Sequence, residues 1–274
     1  PFSVLDARQG YWQARKREWL GLGIESELGR PHNLLKMSGS VLGAMAPNKS
    51  TPASASGNDP AYYWKKSKAE AEAGRPLTNA EFEADWWEPV AFVGGTSIFD
   101  PVLCEIAYRW WSAPGASILD PFAGGSVRGL VASILGRKYT GIDLSATQIA
   151  ANEEQATTVL TDQEKPRWLL GDSTAPPPEA DGPFDMILSC PPYHGLERYS
   201  DDPADLSNME WPDFLDAYRS AIKLAADRLA DDRFAVWVIG EVRAPDGVNR
   251  GLVPATIQAF TDAGMDFYND AVLI

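Results

Sequence analysis

The stretch that decides the fold reads Ile118-Leu119-Asp120-Pro121-Phe122-Ala123-Gly124-Gly125-Ser126-Val127-Arg128-Gly129. Its apolar start predicts a short strand, and its glycines predict a turn into a helix. Glycines at such a turn let the backbone approach a ligand, and the start of the helix offers unpaired N–H groups. A second predicted strand ends at Asp143, a carboxylate suited to accept the hydroxyl hydrogens of a ribose. The stretch therefore predicts a nucleoside-binding turn, and its Asp-Pro-Phe-x-Gly-Gly form argues against the Gly-x-Gly-x-x-Gly turn of NAD-binding proteins.

Outward from this turn, predicted helices and strands alternate along the chain. Alternation of this kind predicts an α/β fold with a doubly wound, mostly parallel sheet, in which the carboxyl ends of the strands share one edge. Asp120, Asp143, Asp172, Cys190 and Glu241 all come at predicted strand ends, which favours one shared site at that edge. The predicted elements are helix 101–111, strand 117–120, helix 129–136, strand 139–143, helix 145–160, strand 168–171, strand 185–189, helix 211–229, strand 233–239, helix 253–263 and strand 266–274.

A second motif, Cys190-Pro191-Pro192-Tyr193, follows the predicted strand at 185–189. Together with the glycine turn, it resembles the class I methyltransferases that use S-adenosylmethionine, and within them the branch that acts on nucleic acids. The resemblance covers roughly residues 93–274 and implies a Rossmann-like catalytic domain. It is closest to bacteriophage-encoded DNA methyltransferases, some of which are joined to a ParB-like domain.

The resemblance implies a set of cofactor contacts along the sheet edge. A loop upstream of the turn would pack over the methionine end of the cofactor, the turn itself would pass under it, and the acids after the next two strands would hold the ribose and the adenine. The residues implied are Thr96, Ser97 and Phe99 in the loop, Asp120, Phe122, Gly124 and Gly125 in the turn, Asp143 and Leu144 at the ribose, and Asp172 and Ser173 at the adenine.

Cys190 leaves two target chemistries open. Enzymes that methylate exocyclic amines carry Asp, Asn or Ser before Pro-Pro-Tyr, and a thiol replaces those acceptors poorly. A thiolate is a good nucleophile, and enzymes that methylate cytosine C5 place a Cys at this strand end and a Glu, here Glu241, after the next strand. We therefore expect C5 methylation with Cys190 as nucleophile, with amino methylation (cytosine N4 or adenine N6) as the alternative. Tyr193 would stack on the base in either case, and Arg198 and Arg243 are candidate substrate contacts.

Composition sets limits on the class of protein. The chain has 274 residues, 45% of them hydrophobic, with no run of eighteen apolar residues, so no membrane-spanning segment is predicted. Cys104 and Cys190 are far apart and no Cys/His cluster has zinc spacing, so we expect reduced thiols, a cytoplasmic location in a bacterial host, and no metal site. The net charge of −14 disfavours tight duplex binding, so basic residues near the start are the expected phosphate contacts: Arg8, Arg15, Lys16, Arg17, Arg30 and Lys36.

The chain divides into two predicted parts. Residues 1–90 form an N-terminal extension, with a basic-aromatic helix at 11–20, a linker at 37–60 and polar helices at 64–73 and 79–87. Residues 91–274 form the S-adenosylmethionine-binding catalytic domain. Methyltransferases of this class have one further antiparallel strand, so we interpret the chain as a piece of a longer polypeptide. An RNA or small-molecule methyltransferase, or a catalytically silent binding module, remains a competing interpretation.

Overall fold

The computed structural model describes residues 4–25, 66, 69–70, 73–78, 81–82, 99–194, 199–200, 202–244 and 246–274. The strands are β1 (Val4–Leu5), β2 (Ser117–Asp120), β3 (Lys138–Asp143), β4 (Arg167–Leu170), β5 (Phe184–Ser189), β6 (Leu229–Trp237) and β7 (Val272–Leu273). The helices are α1 (Gly10–Leu20), α2 (Pro101–Trp111), α3 (Val127–Ile134), α4 (Ala146–Val159), α5 (Trp211–Ala226) and α6 (Leu252–Asp262). Within these described ranges, no helix is both long and apolar enough to cross a bilayer.

Five strands form the main sheet in the order β4-β3-β2-β5-β6, and every neighbouring pair is parallel. The chain moves from β2 outward through β3 to β4, and then returns to the other side of β2 for β5 and β6. The carboxyl ends of β2 and β5 therefore flank the point where the strand order reverses, which is where ligands bind in open α/β sheets. The predicted α/β fold with a mostly parallel sheet is confirmed.

The alternation of strand side chains builds a core on each face of the sheet. On β2, Ile118 packs with residues of α2 and α3, whereas Leu119 packs on the opposite face with Ala225 of α5. On β5, Met186 packs on the same face as Ile118, and Ile187 packs on the same face as Leu119. Helices α2, α3 and α4 thus cover one face, while α5, which contacts α6, covers the other.

Helix α1 packs on α2 and belongs to the main core. Its two tryptophans, Trp12 and Trp19, have exposed fractions of only 1% and 2%. Trp19 Nε1 donates a hydrogen bond to Glu105 Oε2 of α2 at 2.7 Å, and Arg15 Nε donates to the same oxygen at 2.7 Å. At least this part of the predicted N-terminal extension is therefore docked on the sheet domain.

Short polar side chains cap the starts of two helices. Asp100 accepts from the amide N–H groups of Val102 at 2.8 Å and of Leu103 at 3.4 Å, so it caps α2. Ser145 likewise accepts from the Gln148 amide at the start of α4. The boundary at residue 90, the linker at 37–60 and most of the two polar helices lie outside the described residues, and those predictions stay predictions.

Two predicted strands differ from the structure. Strand β6 ends at Trp237, not at residue 239, so the chain has left the sheet before Glu241. The strand predicted at 266–274 is wrong, because only Val272–Leu273 forms a strand, and this strand pairs in parallel with β1 outside the main sheet. Polar residues Asn269 and Asp270 interrupt the apolar alternation there, and Tyr268 instead contacts Trp111 and Phe234 with its ring.

Candidate active site

A cleft of about 240 Å³ lies at the carboxyl edge of the sheet, beside the point where the strand order reverses. Its walls come from the turns that follow β2, β3, β4 and β5 and from the segment that precedes α5. The lining residues are Phe99, Pro121, Phe122, Gly124, Arg128, Ile142, Asp143, Leu144, Ser145, Gln148, Gly171, Asp172, Ser173, Cys190, Pro192, Tyr193, Tyr199, Ser200, Asp202, Asp205 and Leu206. The structure thus brings together most of the predicted cofactor residues and the Cys-Pro-Pro-Tyr motif.

Asp143 holds the glycine turn in place as well as lining the cleft. Its Oδ2 atom accepts from the Gly124 amide at 2.8 Å, and its Oδ1 atom accepts from the Ser145 amide at 2.8 Å. Gly124 has a φ of 49°, in the left-handed region that side chains with a Cβ rarely adopt. Gly124 lines the cleft without a side chain, while its N–H donates to Asp143 and its carbonyl oxygen accepts from Asn152 Nδ2.

Asp172 and Ser173 form the wall below β4. The Asp172 carboxylate accepts from the Thr174 amide and hydroxyl at 2.8 and 2.7 Å, which fixes the turn. Ser173 Oγ donates to the carbonyl oxygen of Pro121, so the β4 turn is tied to the β2 turn. The two turns form one continuous surface as a result.

Asp120 lies beneath the cleft and does not line it, which corrects the expected cofactor contact. Asp120 lies two residues after Ile118 on β2, so both side chains point to the same face of the sheet. The Asp120 side chain therefore enters the core under α3, where its exposed fraction is 0%. There it forms an ion pair with Arg128 and accepts from the hydroxyls of Ser189 at 2.6 Å and Tyr139 at 2.7 Å. Asp120 therefore supports the turn from below.

Arg128 is a lining residue that the sequence analysis missed. Burial alone would lower the pKa of its guanidinium, but Asp120 and the neighbouring Tyr139 raise it, and the pKa lies above its ordinary value. Its Nη2 atom donates to the carbonyl oxygens of Phe122 at 2.6 Å and Ala123 at 2.9 Å. The sequence signal was an arginine at the start of an otherwise apolar helix, next to a glycine turn.

Cys190 and Tyr193 lie at the end of β5, across the reversal point from the glycine turn. Cys190 is in no disulfide, is partly buried, and lines the cleft together with Pro192 and Tyr193. The Tyr193 ring lies against the chain at Gly240, where an added Cβ would be 3.8 Å from Tyr193 Cε1. Pro191 and Gly125 are in the same turns but are not among the residues that line the cleft.

Glu241 and Arg243 do not reach the cleft, which corrects the predicted base contacts. The Glu241 side chain is exposed, and its Oε2 atom accepts from the Leu252 amide at 3.0 Å. Gly251 precedes α6 and has no side chain to cap it, so Glu241 supplies the acceptor that the helix start requires. Arg243 is exposed and donates to the carbonyl oxygen of Gly247. Thr96, Ser97 and Arg198 lie outside the described residues.

Comparison with known proteins gives similarity to solved methyltransferase structures. TrmN from Thermus thermophilus aligns at 26% identity over 48% of this chain and 36% of its own, with a TM-score of 0.38. A TehB-like SAM-dependent methyltransferase from Corynebacterium glutamicum aligns at 19% identity over 77% of this chain and 87% of its own, with a TM-score of 0.42. Magnesium protoporphyrin IX methyltransferase (ChlM) from Synechocystis PCC 6803, solved with bound SAM, aligns at 13% identity over 81% of this chain and 91% of its own, with a TM-score of 0.44.

No protein-family model and no curated protein matches the chain. The three TM-scores are below 0.5. The fold and the site are therefore defined by the sheet order and by the residues of the cleft.

The wall opposite the glycine turn is built by the segment before α5. Asp205 organises it, because its carboxylate accepts from the amide and hydroxyl groups of both Ser200 and Ser207 at 2.7 to 3.1 Å. Tyr199, Asp202 and Leu206 complete this wall. The spacing of Ser and Asp residues in 200–207 is the signal that could have predicted a folded turn there.

Proposed function

We propose that this chain is an S-adenosylmethionine-dependent methyltransferase that modifies a nucleobase in DNA. The observation that carries the proposal is that Cys190, Pro192 and Tyr193 line the same cleft as Asp143 and Asp172. Strand order sets the sequence of groups along the cleft: Asp172 after β4, Asp143 after β3, Gly124 after β2, and Cys190 after β5. This order matches an adenine, a ribose, a methionine and an acceptor laid side by side across the edge.

The residues present fit such a cofactor. Asp143 offers a carboxylate at the ribose position, Gly124 leaves room for close approach to the backbone, and apolar Phe99, Leu144 and Ile142 line the walls. The cofactor supplies a methyl group on a sulfonium, which is a good leaving group. Methyl transfer then requires mainly that the protein align the acceptor and exclude water.

An exocyclic amine is the acceptor that the geometry supports better. C5 methylation uses a carboxylate to bind the base at N3, and Glu241, the predicted carboxylate, is exposed and occupied by the start of α6. Amine methylation does not require that carboxylate, and Tyr193, which would stack on the base in either chemistry, lines the cleft. The amine nitrogen would attack the methyl carbon, the C–S electron pair would return to sulfur, and the nitrogen would lose a proton to solvent.

C5 methylation is the second candidate, favoured by the position of the Cys190 thiol in the cleft. Its thiolate would add to C6 of cytosine, C5 would take the methyl group, and loss of the C5 proton would release Cys190. Replacing Cys190 by Ser separates the two candidates. Loss of turnover together with a covalent adduct on 5-fluorocytosine DNA supports C5 chemistry, and an active Cys190→Ser enzyme excludes it.

One experiment tests the proposal as a whole. The protein is incubated with methyl-labelled S-adenosylmethionine and mixed-sequence DNA or RNA, and the products are digested to nucleosides for mass analysis. A labelled N4-methylcytosine or N6-methyladenine deoxynucleoside is the expected result. Label found only in ribonucleosides would show that RNA is the substrate. A failure to detect cofactor binding by calorimetry would overturn the proposal.

A further inference from the structure

Arg128 has hydrogen-bond donors that the protein does not use. An arginine side chain carries five N–H donors. The Nε donor goes to Asp120, and Nη2 donates to the carbonyl oxygens of Phe122 and Ala123. Within the described part of the chain, no hydrogen bond involves Nη1, so its two N–H groups have no protein acceptor there.

The surroundings of Arg128 direct these donors to the cleft. The residue has an exposed fraction of 4% and yet lines the cleft, so the little surface that it exposes is cleft surface. The Phe99 ring lies over the guanidinium, with 4.6 Å between the Cζ atom and the ring centroid, and fixes the orientation of its plane. Asp120 and the two carbonyls hold the other edge, which makes Arg128 a rigid donor.

Arg128 is also the only cation among the described lining residues. The other charged groups of the cleft wall are four carboxylates, those of Asp143, Asp172, Asp202 and Asp205. A ligand that carries a carboxylate would be repelled by these acids, and Arg128 is the group that can offset the repulsion. It is the second residue of α3, which follows β2, and β2 lies between β3, which ends at Asp143, and β5, which precedes Cys190.

We propose that Arg128 binds the carboxylate of the amino-acid portion of the cofactor through its Nη1 donors. The inference rests on the proposed function and assigns a ligand contact that neither the glycine turn nor the acids at the strand ends supply. Arg128 would select cofactors with an intact methionine carboxylate over adenosine thioethers that lack it.

Calorimetry with two product analogues tests this assignment without any need for turnover. S-adenosylhomocysteine keeps the carboxylate, and decarboxylated S-adenosylhomocysteine lacks only that group. The wild-type protein should bind S-adenosylhomocysteine about 10- to 100-fold more tightly, the range expected for hydrogen bonds to a charged group. Equal affinity for the two analogues would overturn the inference and leave the proposed function standing. A failure to bind S-adenosylhomocysteine would overturn both the inference and the proposed function.

Variants then assign the preference to this side chain. Because methionine at position 128 would leave Asp120 unpaired in the core, the pair Asp120→Asn and Asp120→Asn/Arg128→Met is compared. The first should keep the preference for the carboxylate, and the second should lose it to within about twofold. A preference that survives in the double variant would assign it to another residue. If the double variant does not fold, Arg128→Lys, which should keep only part of the preference, decides the question.

Arg137→Met is the matched control. Arg137 is a buried arginine on the same side of the sheet, its guanidinium donates to the carbonyl oxygens of Leu135, Tyr108 and Ser112, and it does not line the cleft. Its replacement should lower stability without changing the affinity ratio of the two analogues. A ratio that changes equally in both arginine variants would show a general loosening of the fold and overturn the assignment to Arg128.

Discussion

At the scale of single residues, the structure separates acids that look alike in the sequence. Asp120 and Asp143 both end a strand, but Asp120 faces the core under α3 and Asp143 faces the cleft. A buried carboxylate that neutralises a buried guanidinium is a stability element, because removing one partner leaves the other charge uncompensated. An acid whose oxygens face a ligand cleft is expected to affect binding instead.

Replacing Asp120 by Ala should therefore destabilise the protein strongly. We expect the free energy of unfolding to fall by about 3–5 kcal/mol, since Arg128 would stay buried without its partner. Urea denaturation measures the change, and Asp216→Ala is the control, because the ion pair of Asp216 with Arg219 is exposed and should contribute less than about 1 kcal/mol. Equal losses in the two variants would contradict the buried-pair account.

Replacing Asp143 by Ala should weaken cofactor binding more than it affects the fold. The carboxylate accepts from the Gly124 amide and lines the cleft where we propose that the ribose binds, so the affinity for S-adenosylhomocysteine should drop by at least about tenfold. Calorimetry gives the affinity, and Asp162→Ala on the exposed turn after α4 provides the reference. An Asp143→Ala protein with unchanged affinity would refute the ribose assignment.

At the scale of elements, α1 is held on α2 by Glu105, which accepts from Arg15, Trp19 and Arg109. Lys16 pairs with Asp100 and Arg8 pairs with Asp6, so three of the six basic residues predicted to contact phosphate have acidic partners within the chain. Arg30 and Lys36 lie outside the described residues, and the phosphate contact stays a prediction. Helix α1 acts as a structural element of the sheet domain.

The contribution of Glu105 should depend on pH. Burial alone would raise the pKa of this carboxyl, but the hydrogen bonds from Arg15, Trp19 and Arg109 outweigh it, and the pKa lies below its ordinary value of 4.5. A lowered pKa in the folded state means that the stabilisation is fully present above the unfolded value and is lost as the pH falls through the folded one.

Comparison of the wild type with Glu105→Gln measures this contribution. We expect the wild type to have a free energy of unfolding about 1–3 kcal/mol higher than that of Glu105→Gln at pH 7. This difference should disappear as the pH falls below about 4.5, because a protonated Glu resembles Gln. Glu18→Gln, which alters only an exposed pair with Arg15, should change stability by less than about 1 kcal/mol. A gap that does not depend on pH would show that the charge of Glu105 is unimportant.

At the scale of the whole molecule, the net charge of −14 governs both stability and association. Self-repulsion of so many carboxylates destabilises the compact state, and salt screens it. We expect the Tm at pH 7 to rise by about 2–4 °C between 10 and 300 mM NaCl, which corresponds to about 1 kcal/mol for a chain of this size. Thermal melts followed by circular dichroism test this, with pH 5 as the comparison, where partial protonation should shrink the gain. A Tm that falls with salt would mean that attractive ion pairs dominate.

The sequence by itself determined the sheet class and the position of the glycine turn, because these depend on local patterns of apolar and turn residues. Only the tertiary structure decided which acids at strand ends face the cleft. That depends on the side of the sheet to which each side chain points and on the residue at which each strand ends. Glu241 lies outside the site because β6 ends at Trp237, and Arg128 lines the site because α3 places it over Asp120. Contacts of this kind join residues from different elements, and no pattern within one element encodes them.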